Sequence, residues 1–162
     1  MKYLGMLMIC GSILISCNSP AQKKMESIKD GFKISKSDAE WKSELDPAAY
    51  RVLREEGTER AFSSPLNDNY EAGIYVCAGC GIPLFKSDTK FDSGTGWPSF
   101  DQEISGNVAF KTQKSFGSTI LEEHCANCGG HLGHVFNDGP QETTGKRHCV
   151  NGVALKFIPN NE

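Results

Sequence analysis

Net charge is scarce in this chain, and charge of one sign is nowhere concentrated. Its 162 residues carry 17 Lys and Arg against 20 Asp and Glu, a formal charge of −3 spread along the sequence. No basic cluster offers the footprint that a phosphate backbone needs, which excludes nucleic acid as the partner. Long hydrophobic runs are lacking too. The one sustained apolar stretch, in residues 1–16 (MKYLGMLMICGSILIS), falls short of the roughly 20 residues of a spanning helix. With that segment set aside, the remaining chain suffices for one modest core and not for two.

What residues 1–16 do have is a lysine followed by a short apolar run, the pattern of a signal segment. The run closes on Leu14-Ile15-Ser16-Cys17, which resembles the bacterial lipobox, so Cys17 is expected to be diacylated and to become the new amino terminus. Ordinary secretion is the alternative, but Ser19-Pro20-Ala21 places a proline at the cut. Residues 17–36 are polar and aperiodic and read as a lipidated tether; residues 37–162 are the domain. The expected location is extracytoplasmic, in the periplasm or at the cell surface, as a bacterial membrane lipoprotein.

The domain opens with Ser37-Asp38-Ala39-Glu40, a capping box for a short helix bearing Trp41 and Leu45. Asp46-Pro47 starts a second helix carrying Tyr50, Val52 and Leu53 toward Gly57, and residues 57–69 read as loop. From Gly73 onward short apolar runs alternate with Gly, Pro, Asn and Asp: Ile74–Cys77, Pro83–Phe85, Val108–Thr112, Thr119–Glu123, Arg147–Val150 and Val153–Phe157. That texture predicts a mainly β fold, an antiparallel core with short amino-terminal helices packed on it.

Two segments nearly repeat, Cys77-Ala78-Gly79-Cys80-Gly81 and Cys125-Ala126-Asn127-Cys128-Gly129. Two residues between paired cysteines let one turn aim both sulfurs at one ion, and two such knuckles complete a tetrahedral shell of four thiolates. A closed shell leaves no position for water, so the expected ion is one structural Zn²⁺ acting as a clip between distant segments. Disulfides, which an oxidising compartment favours, and a thioredoxin-like redox pair are the competing readings; the latter lacks its βαβ context.

Cysteine supply is therefore thin. Of seven, Cys10 leaves with the signal, Cys17 goes to lipid and four go to metal, so Cys149 alone has no structural duty. It lies in GKRHCVNGVALKF among Arg147, His148 and Asn151, groups that favour a thiolate; a buried core cysteine is the plainer reading. His131 and His134 lie three residues apart after the second knuckle, as metal ligands, core groups or proton donors, and Asp138 offers a carboxylate to orient one ring. Trp97 stands in a glycine-proline frame, in the core or as the wall of a small apolar pocket.

From about Trp41 to Phe157 the chain resembles the B-type methionine sulfoxide reductases. The resemblance rests on Val52-Leu53-Arg54 with Gly57-Thr58-Glu59, both knuckles, Lys90–Gly94 running into Gly96–Phe100, His131–Phe136 with Asp138-Gly139-Pro140, and Arg147, Cys149 and Asn151. It implies two antiparallel β-sheets and thiol-dependent reduction of methionine R-sulfoxide, free or in oxidised proteins and peptides. Cys149 would attack the sulfoxide sulfur, His131 and His134 would supply the proton for the departing oxygen, and Trp97 and Phe136 would line the substrate pocket. Arg147 and Asn151 would position and polarise the site, and Cys149 would be left as a sulfenic acid. Three departures stand out. Thr95 occupies the place of a recycling cysteine, Ile120 that of an arginine, and Gly152 that of a serine, beside one extra residue in Gln141–Thr144. With no second thiol, a thioredoxin-like protein or small thiol is the expected reductant. Two other classes fit less: a zinc-stabilised β module that only binds, with Cys149 inert, and a Cys-His hydrolase or acyltransferase, for which no oxyanion site is recognisable.

Overall fold

The computed structural model describes residues 31–115 and 118–160. The signal segment, Cys17 and most of the expected tether lie outside them. Helix α1 (Asp38–Glu44) starts where the capping box places it, with Ser37 and Glu40 exchanging both cap bonds. Helix α2 (Pro47–Glu55) follows, its first amides held by the Asp46 carboxylate. It buries Ala49, Tyr50, Val52 and Leu53, one face of an amphipathic helix.

Nine strands make two antiparallel sheets among the described residues. They are β1 (Gly73–Cys77), β2 (Pro83–Lys86), β3 (Lys90–Phe91), β4 (Ser99–Phe100), β5 (Val108–Ser115), β6 (Ser118–Cys125), β7 (His131–Phe136), β8 (Arg147–Val150) and β9 (Leu155–Pro159). The smaller sheet runs β2-β1-β9, the larger β3-β4-β8-β7-β6-β5. Between them lie Tyr75, Leu84, Phe85, Phe100, Leu132, Val150 and Leu155, with Phe85 stacked on Phe100 at 4.4 Å. Each such fully buried side chain contributes about 1.5–3 kcal/mol. Trp41, Val52 and Leu53 close the core from the helical side.

Two boundaries differ from the sequence expectation. The chain is already docked before Ser37: Ile34 N donates to Asn127 O at 2.9 Å and Phe32 sets its ring edge-on to His124. The second knuckle supplies the free carbonyl, and Gly129 the space, that seat this segment. The last strand begins at Leu155 rather than Val153, because residues Gly152–Ala154 form a 3₁₀ turn whose first amides are drawn onto the Glu59 carboxylate.

Candidate active site and metal centre

The four knuckle cysteines come from both sheets. Cys77 ends β1, Cys80 lies in the turn to β2, Cys125 ends β6 and Cys128 lies in the turn to β7. Their sulfurs all lie within 4.8 Å of one another, with Cys77 and Cys128 at 3.7 Å and Cys80 and Cys125 at 3.5 Å. A disulfide would need about 2.05 Å, so none of the four is bonded to another. Tetrahedral thiolates about 2.3 Å from a metal stand roughly 3.8 Å apart, and the observed separations match that edge. Crowding alone divides the thiols: mutual hydrogen bonding, led by Cys125, pushes Cys77 and Cys128 up and Cys80 down. The donor set therefore fits a single metal ion that joins the two sheets. Leu53 of α2 packs over both knuckles at Gly79 and Gly130.

Cys149 sits elsewhere, in the middle of β8. Its cross-strand partners are His134 on β7 and Ser99 on β4, and His134 in turn opposes Glu122, which opposes Lys111. Directly paired residues share a face, so Lys111, Glu122, His134, Cys149 and Ser99 form one row on the side of the sheet away from the aromatic core. Close approach of β7 and β8 depends on Gly133, where an added Cβ would meet the Cys149 carbonyl oxygen at 2.0 Å.

Over this row opens a cavity of about 170 Å³ lined by Thr58, Trp97, His134, Phe136, Cys149 and Asn151. Burial raises the Cys149 thiol above its ordinary value of 9.0, while the Arg147 charge and hydrogen bonds from Thr95 and Arg147 pull it back. Thr95 continues into a hydroxyl chain through Ser93 to Ser99. His134 is held below its ordinary 6.5 by burial and by the neighbouring His131. Its Nε2 meets Gln113 Oε1 at 3.1 Å.

The sequence-selected residues divide. Cys149, His134, Trp97, Phe136 and Asn151 meet at the cavity. His131 does not line it: it is buried, its Nδ1 bonded to Glu122 at 2.9 Å, and its ring stands edge-on behind His134 with centroids 5.5 Å apart. Arg147 lies under the Phe136 ring at 4.4 Å. Asp138 orients no imidazole; both its oxygens take the Arg147 guanidinium at 2.9 Å, since the turn after β7 returns it beside the start of β8. Asn151 spends its side chain on backbone, donating to Leu132 O and accepting from Glu59 N.

Glu59 is the residue whose role sequence reasoning missed. Nearly buried, it accepts from the amides of Gly152 and Val153 at 2.6 and 3.0 Å, and its carbonyl takes Trp97 Nε1 at 3.3 Å. It thus ties the loop after α2 to the Cys149 strand and to the indole at once. Gln113 and Glu122 were also unmarked, because nothing near them in sequence distinguishes them from other strand polar residues.

Comparison with known proteins adds an independent finding. The SelR domain family matches residues 45–159. A protein of Leptospira interrogans named peptide methionine sulfoxide reductase MsrB is 53% identical over 78% of this chain and 96% of its own length. Proteins of the same name from Leifsonia xyli and Methanosarcina mazei are 48% and 56% identical, over 85% and 80% of this chain and 100% and 93% of theirs.

Proposed function

The chain belongs to the SelR domain family and is a peptide methionine sulfoxide reductase that repairs oxidised protein, and from that premise we propose how its residues perform the reaction. The observation that carries the proposal is the pairing of Cys149 with His134 under one small apolar cavity. The Cys149 thiolate attacks the sulfur of methionine R-sulfoxide. As His134 gives its proton to the oxygen, the oxygen passes from the methionine sulfur to the Cys149 sulfur: the methionine S–O bond and the newly formed S–S bond break, a Cys149 S–O bond forms, methionine leaves with the electron pair, and Cys149 is left as sulfenic acid. Trp97 and Phe136 enclose the S-methyl group, and Arg147, steered by Asp138, favours the thiolate. His131, fixed by Glu122, backs the His134 ring.

Cys77, Cys80, Cys125 and Cys128 would hold Zn²⁺, which supplies structural cross-linking and no chemistry to the row. A thioredoxin-like protein or a small thiol completes the cycle: its thiolate attacks the sulfenic sulfur, water leaves, and a second thiol frees Cys149. The expected setting is outside the cytoplasm, with acyl chains on Cys17 holding the enzyme to a membrane; mass spectrometry of the mature amino terminus decides this, and an unmodified residue there refutes it. No helix among the described residues is long and apolar enough to cross a membrane.

Epimer-resolved turnover of a methionine sulfoxide peptide with dithiothreitol tests the chemistry. The wild type should consume the R epimer and Cys149→Ser should not, while its fold and metal content survive. Activity retained in Cys149→Ser would remove the nucleophile.

A further inference from the structure

Phe62 is an aromatic residue held where neither backbone nor solvent favours it. Its φ is 61°, the left-handed region that is an outlier for a bulky side chain. Its ring is 68% exposed, more than any other large hydrophobic side chain among the described residues. Yet it is not loose. Phe62 N donates to Gly96 O at 2.7 Å, and the ring lies so close over Gly96 that a Cβ there would come within 2.7 Å of it. The same loop is pinned at Glu59, through Gly152, Val153, Asn151 and the Trp97 indole. Strain that persists because its surroundings impose it is a pointer to function. Here the strain presents an apolar ring to water beside the loop that carries Trp97.

The cavity over Cys149, about 170 Å³, holds one side chain and not a stretch of polypeptide. Residues on either side of an oxidised methionine must therefore lie outside it, and the nearest exposed rings that the structure offers are Phe136, which lines the cavity, and Phe62, which lies against Gly96 next to the lining residue Trp97. Those flanking residues have a predictable chemistry. Oxidation puts a polar sulfoxide where a core methionine packed, which loosens the segment and exposes its apolar neighbours.

Resting on the reading of this cavity as the sulfoxide site, we propose that Phe62 binds the apolar side chain next to the oxidised methionine in a loosened polypeptide. The enzyme thereby selects sulfoxides by sequence context. The ring is pre-positioned, so little ordering entropy opposes binding, which is what the strained, clamped loop provides.

The test uses three R-sulfoxide substrates: a peptide with Phe and Leu beside the oxidised methionine, one with Gly and Ser, and N-acetylmethionine sulfoxide, which cannot reach the rim. Phe62→Asn removes the ring while asparagine tolerates the left-handed backbone, and Phe62→Tyr keeps the ring. The wild type should prefer the apolar-flanked peptide. Phe62→Asn should lower the ratio of its kcat/KM to that of N-acetylmethionine sulfoxide about tenfold, chiefly through KM, whereas Phe62→Tyr keeps the ratio. Equal loss on all three substrates would make the ring merely structural and overturn the proposal. Direct competition of the two peptides for wild-type enzyme reads the same preference without substitution, and no preference there also overturns it. Wild-type enzyme that turns over no R-sulfoxide at all would instead sink the reading of the cavity, and this proposal with it.

Discussion

His134 stands directly across from Cys149 in the β7–β8 ladder, with no residue between the imidazole strand and the thiol strand. Burial pushes the two groups apart in acidity, Cys149 above 9.0 and His134 below 6.5, so thiol with neutral imidazole predominates, whereas the proposed mechanism draws on thiolate with imidazolium. That pair is always a minor population, and its pH dependence has a definite shape.

Between the two pKa values, each pH step gains thiolate as fast as it loses imidazolium, so kcat/KM should be flat from below pH 6.5 to above pH 9. It should fall below the plateau as thiolate is lost, and above it as imidazolium is lost. His134→Asn should lower the neutral rate by roughly 10²–10⁴-fold and abolish the alkaline fall. Persistence of that fall in the variant would show that another group gives the proton.

Removing one metal ligand should be a stability defect before it is a catalytic one. Cys77→Ser or Cys125→Ser should lose the ion and several kcal/mol of stability, since metal binding is folding energy and the clip joins the two sheets. Metal analysis of protein purified without added zinc should give one Zn²⁺ per chain. Two disulfides and no metal would defeat the assignment.

Glu123 and His148 are both fully buried on the core face of the large sheet, 2.7 Å apart. Burial raises the Glu123 carboxyl even though His148 pulls it down. A raised carboxyl favours folding fully below its unfolded value near 4.5, and that contribution is lost as pH rises through the folded value. His148→Phe should therefore cost about 3–5 kcal/mol at neutral pH by stranding a buried carboxylate, and less at pH 5. The double variant Glu123→Leu with His148→Phe should be neutral or stabilising, because apolar packing replaces a costly pair. Urea melts at pH 5 and pH 8 measure both; a double variant as unstable as the single one would contradict this.

Thr95 lies close enough to Cys149 to lower its thiol, so a thiol placed there should come within reach of the nucleophile. With one equivalent of sulfoxide and no reductant, dimedone should label Cys149 in the wild type. Thr95→Cys should replace that label with a disulfide between residues 95 and 149. Recovery of wild-type Cys149 bonded to a knuckle cysteine would show that the metal site resolves the sulfenic acid, and the one-cysteine cycle would fall.

Features that depend on short spacings were legible in the sequence. Both helix starts follow from Ser37 with Glu40 and from Asp46-Pro47, because a cap reaches only two or three residues. The paired knuckles announced a four-sulfur cluster for the same reason, and counting thiols isolated Cys149. What tertiary structure alone decided are partnerships across long separations. Glu59 finds Gly152 across 93 residues, and Gln113 finds His134 because β5, β6 and β7 fold back on one another. Asp138 takes Arg147 rather than an imidazole, and His131 faces Glu122 while His134 faces the cavity. Strand register and face set these outcomes. Register is fixed by the whole set of cross-strand pairs and the bulge at Glu123/His124, and no local window of sequence contains that information.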